Sequence, residues 1–153
     1  MRRIVVVRVR GTPKVPREIR ETLKMLRLTK PNHTVIVDDR ETYMGMLGKV
    51  KDFVTFGELN SEIAKRLISK WGRLPGDERI DEGYVKKKTK KSISKFVKDF
   101  MKFECEFSDL GIKEVFRLHP PRKGYESIKK GYSQRGALGY RGEEINILLK
   151  RMT

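Results

Sequence analysis

The sequence predicts an α+β fold, with a β-α-β-α-β segment in the first third of the chain and a mainly helical and irregular, basic C-terminal half. Two observations support this prediction. Three short apolar runs, IVVV, TVIV and FVTF, alternate with two segments of helical periodicity. From residue 60 the periodicity turns helical, and the composition shifts near residue 73. The connections between these elements have the lengths usual in compact domains.

The first strand is predicted at residues 4–10, where an apolar run ends in alternating apolar and basic residues. The stretch GTPKVP then interrupts the pattern. Pro16 is tolerated in the first turn of the following helix, because the amide hydrogen that proline lacks would have no helical partner there. Ile19, Leu23 and Leu26 give this helix one apolar stripe.

The second strand is predicted at TVIV, which begins after the turn TKPN and ends at two aspartates. Tyr43, Leu47 and Val50 mark a second, shorter helix on one face. The third strand, FVTF, begins at Phe53 and ends near Gly57. These elements complete the predicted β-α-β-α-β segment.

Capping residues predict the helices of the remaining chain. Asn60 is a suitable N-cap for a helix that ends at Gly72. Asp81 and Ser92 are suitable N-caps of two further helices. Residues 143–151 have the apolar spacing of a final amphipathic helix.

The chain of 153 residues is long enough for one domain with a real core. We expect residues 1–72 to form a β-α-β-α-β core domain. Residues 73–153 are then an appended extension that packs on this core and is not an independent domain. The sequence contains no internal repeat and no Gly/Ser-rich linker between the two parts.

Basic residues dominate the charge: 36 Lys and Arg against 20 Asp and Glu give a net charge of +16. Such a charge predicts attraction to polyanions. No apolar run approaches the roughly 18–20 residues of a membrane-spanning helix, and the N-terminal run is too short for a signal peptide. The one cysteine, Cys105, forms no internal disulfide, which suits a reducing compartment. We therefore expect a cytoplasmic protein.

Candidate catalytic residues form no convincing set. His33 and His119 lie far apart, and neither has the spacing of a metal ligand. Asp38 and Asp39 follow a strand, where some enzymes hold magnesium, but two exposed acids commonly end a strand and begin a turn. GALGYRGEE has GxxGxxG spacing but lacks the Lys-Ser/Thr of a nucleotide loop, and no suitable strand-turn-helix unit is predicted before it. Its backbone amides are better suited to approach an RNA phosphate.

The run VKKKTKKSISKFVK carries seven lysines and no acid between Lys86 and Lys98. On a helix, Ile93, Phe96 and Val97 face inward and the lysines point outward. One interpretation is a solvated face, since thermophilic proteins favour lysine and glutamate. The glutamates that would form ion pairs are missing, however, which favours contact with phosphates and release of their counterions.

Residues 116–142 fit neither a helix nor an ordinary loop. They contain two adjacent prolines, five glycines and one acid, Glu126, among many basic residues. Tyrosines can stack on unpaired bases, and glycines let the backbone approach RNA closely. We interpret the basic residues as RNA contacts and Phe116 and Leu118 as core residues. The tyrosines of this segment that can stack on bases are Tyr125, Tyr132 and Tyr140.

Two stretches, LRLTKPNHTVIVDD and YMGMLGKVKDFV, resemble the core motif of the large-ribosomal-subunit protein L-thirty family. The later FRLHPPRKGYE and GALGYRG resemble the longer archaeal and eukaryotic form, which is called L-seven in eukaryotes. The chain begins almost directly at its first strand, without the long basic extension of eukaryotic members, so we expect the archaeal form. The residues at the family's spacing are Leu26, Leu28, Lys30, His33, Val35, Met46, Leu47, Val50, Phe53 and Val54.

The resemblance implies a three-stranded antiparallel sheet with helices on one face, akin to a ferredoxin-like fold. It also implies a structural constituent of the large ribosomal subunit that binds large-subunit rRNA. We expect such a protein not to be an enzyme and to use no metal or cofactor. The implied partners are rRNA close to the 5S rRNA region and neighbouring ribosomal proteins. We expect one copy per cytoplasmic ribosome, with no membrane contact and no homo-oligomer.

Carried onto this sequence, the resemblance implies an RNA face made mainly of basic residues in loops. RNA would be recognised there by shape, phosphate and ribose contact. The implied residues are Arg10, Lys14, Arg27, Lys30, His33, Lys49, Arg117, His119, Arg122, Lys123, Tyr125, Lys129, Lys130, Arg135, Tyr140 and Arg141.

Two other functions remain open from the residues alone. One is an RNA-modifying or RNA-processing enzyme in which Asp38 and Asp39 hold a metal, although no further carboxylates stand in motif spacing. The other is an RNA-binding chaperone or regulator that acts off the ribosome. Both are compatible with the basic composition.

Overall fold

The computed structural model describes residues 1–11 and 13–153. Its strands are β1 Arg3–Arg8, β2 His33–Asp38, β3 Val54–Glu58, β4 Val115–Arg117, β5 Ser127–Gly131 and β6 Gly136–Tyr140. They form one six-stranded sheet in the spatial order β4-β2-β1-β3-β6-β5.

The helices surround this sheet. They are α1 Arg17–Met25, α2 Glu41–Val50, α3 Ser61–Arg66, α4 Glu82–Thr89, α5 Ile93–Met101, α6 Phe107–Leu110 and α7 Ile145–Met152. A π-helical segment, Leu67–Trp71, continues α3, and 3-10 segments cover Tyr132–Gln134 and Gly142–Glu144. Among the described residues, no helix has both the length and the apolarity to cross a membrane.

Strand β1 lies at the centre and runs antiparallel to both β2 and β3, with Val5 opposite Ile36 on one side and Gly57 on the other. This pairing confirms the predicted β-α-β-α-β segment and its three-stranded antiparallel sheet. The sheet is wider than predicted, because β4 adds to β2 in antiparallel and β6 adds to β3 in parallel. Strand β5 then pairs with β6.

Alternate residues of β1 belong to two apolar cores. Ile4 and Val6 pack with residues of α1 and α2, which cover one face of the sheet as predicted. Val5 and Val7 belong to the larger core on the other face, which includes residues of α3, α5 and α7. This larger core joins side chains from before and after residue 72, and the division of the chain at that position stays a prediction.

Residues 116–142, expected to be irregular, contain part of β4 and all of β5 and β6. The reason lies in burial. Strand β5 is exposed over Ser127–Lys130, so it shows no alternation of apolar and polar residues. Strand β6 consists of small and apolar residues between glycines, and its partner β3 lies about 80 residues earlier in the chain. Phe116 and Leu118 are buried in the larger core, as predicted.

The predicted caps are confirmed. Side-chain oxygens of Asn60, Asp81 and Ser92 accept hydrogen bonds from the amides three residues later, at 2.8, 2.7 and 3.3 Å. These bonds satisfy amides that a helix leaves unpaired at its start. The one-turn helix α6 was not predicted, since four residues are too few to show a helical period.

Gly57 allows β3 to touch the chain that leads into α7. A Cβ atom at this position would lie 1.9 Å from the carbonyl oxygen of Gly142 and 2.9 Å from Ile145 Cγ2. We expect Gly57→Ala to lower the free energy of unfolding by about 1–3 kcal/mol, because a backbone contact cannot be relieved by rotating a side chain. Chemical denaturation followed by circular dichroism measures this change.

The matched control is Gly48→Ala in α2, where nothing lies within 4 Å of the added Cβ. Alanine favours a helix over glycine by up to about 1 kcal/mol, so this variant should be as stable as the parent or more so. Equal unfolding midpoints for the two variants would contradict the close approach of β3 to Gly142.

Candidate nucleic-acid interface

Strand pairing gathers several loops at one end of the sheet, which we call the basic end. It consists of residues 9–11 and 13–16 after β1, 29–33 at the start of β2, 51–53 before β3, 117–126 after β4, and Lys129, Lys130 and Arg135 beside the start of β6. The register of β2 and β4 places His33 opposite Arg117. Distant basic stretches of the sequence therefore lie side by side.

Hydrogen bonds join these loops to one another. The Asn32 amide donates to the Arg8 carbonyl at 2.8 Å, and the Val9 amide donates to the Phe53 carbonyl at 2.9 Å. The Tyr125 hydroxyl donates to Asn32 Oδ1 at 2.6 Å, which links the loop after β4 to the turn before β2. The spacing of the loops is thus fixed by the protein's own contacts.

Most of the predicted basic residues at this end are exposed and form no ion pair with an acidic side chain. None of the ion pairs among the described residues includes the cations of this group. Ammonium and guanidinium groups without acidic partners are suited to neutralise phosphates. The group consists of Lys14, Lys30, Arg122, Lys123, Lys129, Lys130 and Arg135.

Three further predicted residues are arranged differently. Arg10 lies over the Phe53 ring, with its guanidinium carbon 5.2 Å from the ring centre. Lys49 Nζ is 3.9 Å from the carboxylate of Glu18, and Arg117 Nη1 is 3.7 Å from that of Asp77. Such exposed ion pairs are weak because water screens the charges, so a phosphate can replace the acid.

Four residues of the basic end have a left-handed backbone that side chains seldom adopt. Their φ angles are 60° at Lys14, 68° at Asn32, 66° at Lys123 and 61° at Arg135. Asparagine tolerates this conformation, but lysine and arginine favour it less. Among the described residues, Arg27, Asp77, Lys90 and Phe103 adopt the same conformation elsewhere, so these angles show tight turns and do not by themselves identify a binding site.

Arg141 corrects an expectation from the sequence, because its side chain is buried and does not lie on an exposed RNA face. Its Nε donates to Thr55 Oγ1 and its Nη2 to the Ala137 carbonyl, both at 2.8 Å. Burial lowers its pKa, and the nearby carboxylate of Glu126 opposes that effect. The guanidinium holds β6 against β3.

The tyrosines are also placed differently from the expectation. Tyr125 is half-buried, and burial raises the pKa of its hydroxyl above the ordinary value. Tyr132 lies beneath the Arg141 guanidinium, 4.9 Å from its central carbon. Tyr140 is exposed, but it lies at the opposite end of the sheet, where its hydroxyl donates to Glu58. The structure therefore does not bring the three rings together.

Arg27 lies away from the basic end. It follows α1 and forms an ion pair with Glu114, the residue before β4.

The two histidines lie near the basic end. Partial burial lowers the pKa of His33, and the charges of Arg117, Lys30 and Arg8 lower it further. His119 packs edge-on against Trp71, with ring centres 4.8 Å apart.

Acids occupy the opposite end of the sheet, and arginines pair with them. Asp38 accepts a hydrogen bond from Arg40 Nε at 2.8 Å, and Asp39 lies 3.6 Å from Arg2 Nε. Burial opposes ionisation of Asp38, but the hydrogen bonds and charge of Arg40 outweigh it and hold its pKa below the ordinary value. Across the described chain, no group of three or more His, Cys, Asp or Glu residues is arranged to hold a metal.

The lysine-rich run lies on α4 and α5, apart from the basic end. Lys86, Lys87 and Lys88 are exposed, whereas Lys91 forms an ion pair with Asp99. GALGYRGEE itself contains β6 and leads through a 3-10 segment into α7, so its glycines lie within and after a strand. Its glycine at position 142 serves the close approach to Gly57 described above.

Two residues that join the basic loops were missed from the sequence. Asn32 stands in the turn TKPN, and the preference of asparagine for turns was the available signal. Arg8 is buried and donates to the Leu28 carbonyl at 2.7 Å and the Arg10 carbonyl at 3.0 Å. An arginine in an apolar strand gives no sequence signal that distinguishes such an internal role from an external contact.

The chain is similar in sequence to proteins of one known family. Residues 4–54 match the model of a family described as ribosomal protein L30p/L7e. The chain is similar to the large ribosomal subunit protein uL30 of Methanococcus maripaludis strain S2, with 50% identity over 149 residues that cover 96% of this chain and 97% of the relative. It is equally similar, at 50% identity and the same coverage, to uL30 of Archaeoglobus fulgidus. It is 43% identical over 148 residues to uL30 of Methanosphaera stadtmanae, again with 96% and 97% coverage.

The buried position of Arg141 generates a prediction about stability. Arg141→Gln should lower the free energy of unfolding by about 1–3 kcal/mol, because two hydrogen bonds inside the protein are lost and their acceptors stay buried. Thermal unfolding of the free protein measures the effect. Arg135→Gln is the control, since this neighbouring arginine is exposed, and its stability should match the parent. A stable Arg141→Gln protein with weakened RNA binding would return Arg141 to the RNA face.

Proposed function

The chain belongs to the ribosomal protein L30p/L7e family, and from this membership we propose that it is a structural constituent of the large ribosomal subunit that binds large-subunit rRNA through the basic end of its sheet. The observation that carries this proposal is the group of seven exposed cations without acidic partners, gathered from distant parts of the chain onto one end. We further propose that it is not an enzyme and needs no cofactor.

Binding is electrostatic in this proposal. Lysines and arginines of the basic end neutralise phosphates, and the release of condensed counterions provides the free energy. Because Asn32 and Tyr125 hold the loops at fixed positions, little entropy is lost when RNA is bound. Recognition then depends on the shape of folded RNA more than on base edges.

The proposed RNA-contacting set follows the sequence prediction with the changes that the geometry requires. Tyr125 and Arg141 support the loops from inside, and Tyr140 and Arg27 lie elsewhere. The remaining residues are Arg10, Lys14, Lys30, His33, Lys49, Arg117, His119, Arg122, Lys123, Lys129, Lys130 and Arg135.

The finer features of the proposal rest on family membership alone. They are a position close to the 5S rRNA region, contact with neighbouring large-subunit proteins, one copy per ribosome and a cytoplasmic location. The charge distribution is compatible with them, since the acids at the opposite end are already paired with arginines and leave that end less attractive to RNA. A role off the ribosome, as a chaperone, is not favoured by relatives that match nearly the whole chain.

Sedimentation tests the ribosomal role. In a sucrose gradient of cell extract, we expect the protein to travel with large subunits and to stay bound through washes of moderate salt. Nonspecific phosphate binding weakens steeply as ionic strength rises, so a loosely attached polycation would be lost at low salt. Finding the protein only in the free fraction would contradict the proposal and favour the chaperone alternative.

Matched charge variants test the basic end. We expect Arg122→Gln with Lys123→Gln to weaken binding to large-subunit rRNA much more than Lys86→Gln with Lys87→Gln. The first loop is held in place, since the Arg122 amide donates to the Arg151 carbonyl at 3.1 Å and Arg151 Nη2 donates to the Gly124 carbonyl at 2.8 Å. Each lost phosphate contact should also reduce the slope of log K against log salt by about 1.

Filter binding over a range of salt concentrations measures both quantities. The two double variants carry the same net charge, so any difference between them arises from position. Equal losses would show that bulk charge, and not the basic end, determines binding.

A further inference from the structure

A second recognition feature lies beside the basic end, and Arg117 is the one of its lining residues that also belongs to the RNA face implied by the sequence. A cavity of about 220 Å³ opens between the end of the π-helical segment and strand β4. It is smaller than the roughly 300 Å³ at which pockets for drug-sized ligands begin, so it suits one planar group. The residues that line it are Trp71, Arg73, Asp77, Lys113, Val115 and Arg117.

The cavity combines an aromatic wall with an excess of positive charge. Trp71 is partly buried against the larger core, and its indole Nε1–H is buried without a hydrogen-bond acceptor among the described residues. Arg73, Lys113 and Arg117 contribute three cations, and Asp77 is the one acid, which leaves a local charge of +2. An aromatic ring beside cations is the arrangement that binds single nucleotides, because the ring stacks on a base and the cations meet its phosphate.

The loop of residues 74–79 places Asp77 over the cations. The Leu74 amide donates to the Glu78 carbonyl at 2.8 Å, and Asp77 adopts a left-handed φ of 62°. Its carboxylate accepts a hydrogen bond from Lys113 Nζ at 2.7 Å and lies 3.7 Å from Arg117 Nη1. The hydrogen bond and charge of Lys113, followed by the charge of Arg117, hold the pKa of Asp77 below its ordinary value. This exposed acid occupies the position of an anion and can be replaced by a phosphate at little cost.

Arg73, the third cation, is held by backbone carbonyls. Arg73 Nη1 donates to the Gly72 carbonyl at 3.1 Å and to the Lys70 carbonyl at 3.3 Å, and the Lys113 amide donates to the Arg73 carbonyl at 2.8 Å. The two side-chain bonds hold the guanidinium beside the cavity, and the amide bond holds the Arg73 backbone. A fixed charge loses little conformational entropy when a phosphate binds.

The cavity is continuous with the basic end. Arg117 belongs to both, since it lines the cavity and stands opposite His33 in the sheet. His119, two residues later, contacts the Trp71 ring. A strand of RNA that crosses the basic end therefore passes the mouth of the cavity.

We propose that this cavity receives one unpaired nucleotide of the bound RNA, with its base against Trp71 and its phosphate on Arg73, Lys113 and Arg117. The proposal rests on the RNA-binding function proposed above and adds a site to it. RNA is favoured over an acidic protein segment, because a carboxylate would satisfy the cations but leave the indole without a stacking partner.

The fluorescence of the full chain tests this site directly, because Trp71 is the one tryptophan of the sequence. We expect a short single-stranded oligoribonucleotide to quench Trp71 emission at constant ionic strength. Inorganic phosphate and a polyglutamate peptide, at matched charge concentration, should leave the emission unchanged. Arg73→Gln with Lys113→Gln keeps the fluorophore and should raise the oligonucleotide concentration that gives half-maximal quenching at least about fivefold, because charge-assisted contacts to the phosphate are lost.

Lys86→Gln with Lys87→Gln on α4 is the matched control. It changes the net charge by the same amount as the Arg73 and Lys113 variant, and its saturating quench should equal that of the parent. Filter binding of large-subunit rRNA is measured on the same samples. Retained rRNA without any change in Trp71 emission would overturn the nucleotide site while leaving the proposed function intact. Loss of both signals would count against the proposed function itself. Quenching by polyglutamate alone would also overturn the site and assign the cavity to a protein partner.

Discussion

The central strand β1 is the element on which the rest of the structure depends. All six of its residues are buried, and it is paired on both sides and covered on both faces. Buried arginines fix its ends. Arg3 lies between the rings of Phe100 and Phe103, with its guanidinium carbon 3.9 Å from each centre, and Arg8 donates to carbonyls of the basic loops. One strand therefore joins the two cores and also positions the surface proposed to bind RNA.

The parts of this fold that depend on nearby residues could be predicted from the sequence. Strands β1, β2 and β3 show apolar runs, and the caps at Asn60, Asp81 and Ser92 act within one helical turn. Strands β5 and β6 could not be predicted in this way. One is exposed, and the other is specified by its fit against β3 and α7, which the local sequence does not contain.

The candidate site shows the same limit in chemical terms. Arginine and tyrosine are among the residue types that bind RNA, but they also form buried hydrogen bonds within proteins. Arg141 and Tyr125 serve the second purpose, and Lys123 and Arg135, from the same segment, are exposed. A signal was present, because Glu126 is the one acid in residues 116–142 and it pairs with Arg141. Composition identifies the kind of partner, and only the fold determines which side chains are free to meet it.

A net charge of +16 requires that the protein hold like charges together before RNA arrives. The structure does so by distributing its acids unevenly. Asp38, Asp39 and Glu58 are paired with arginines at one end, whereas the seven cations of the basic end belong to none of the ion pairs among the described residues. The repulsion among them is resisted by uncharged contacts, such as the bond from Tyr125 to Asn32 and the backbone bond from Arg122 to Arg151. RNA bound as proposed would neutralise these loops and relieve a repulsion that the fold already withstands.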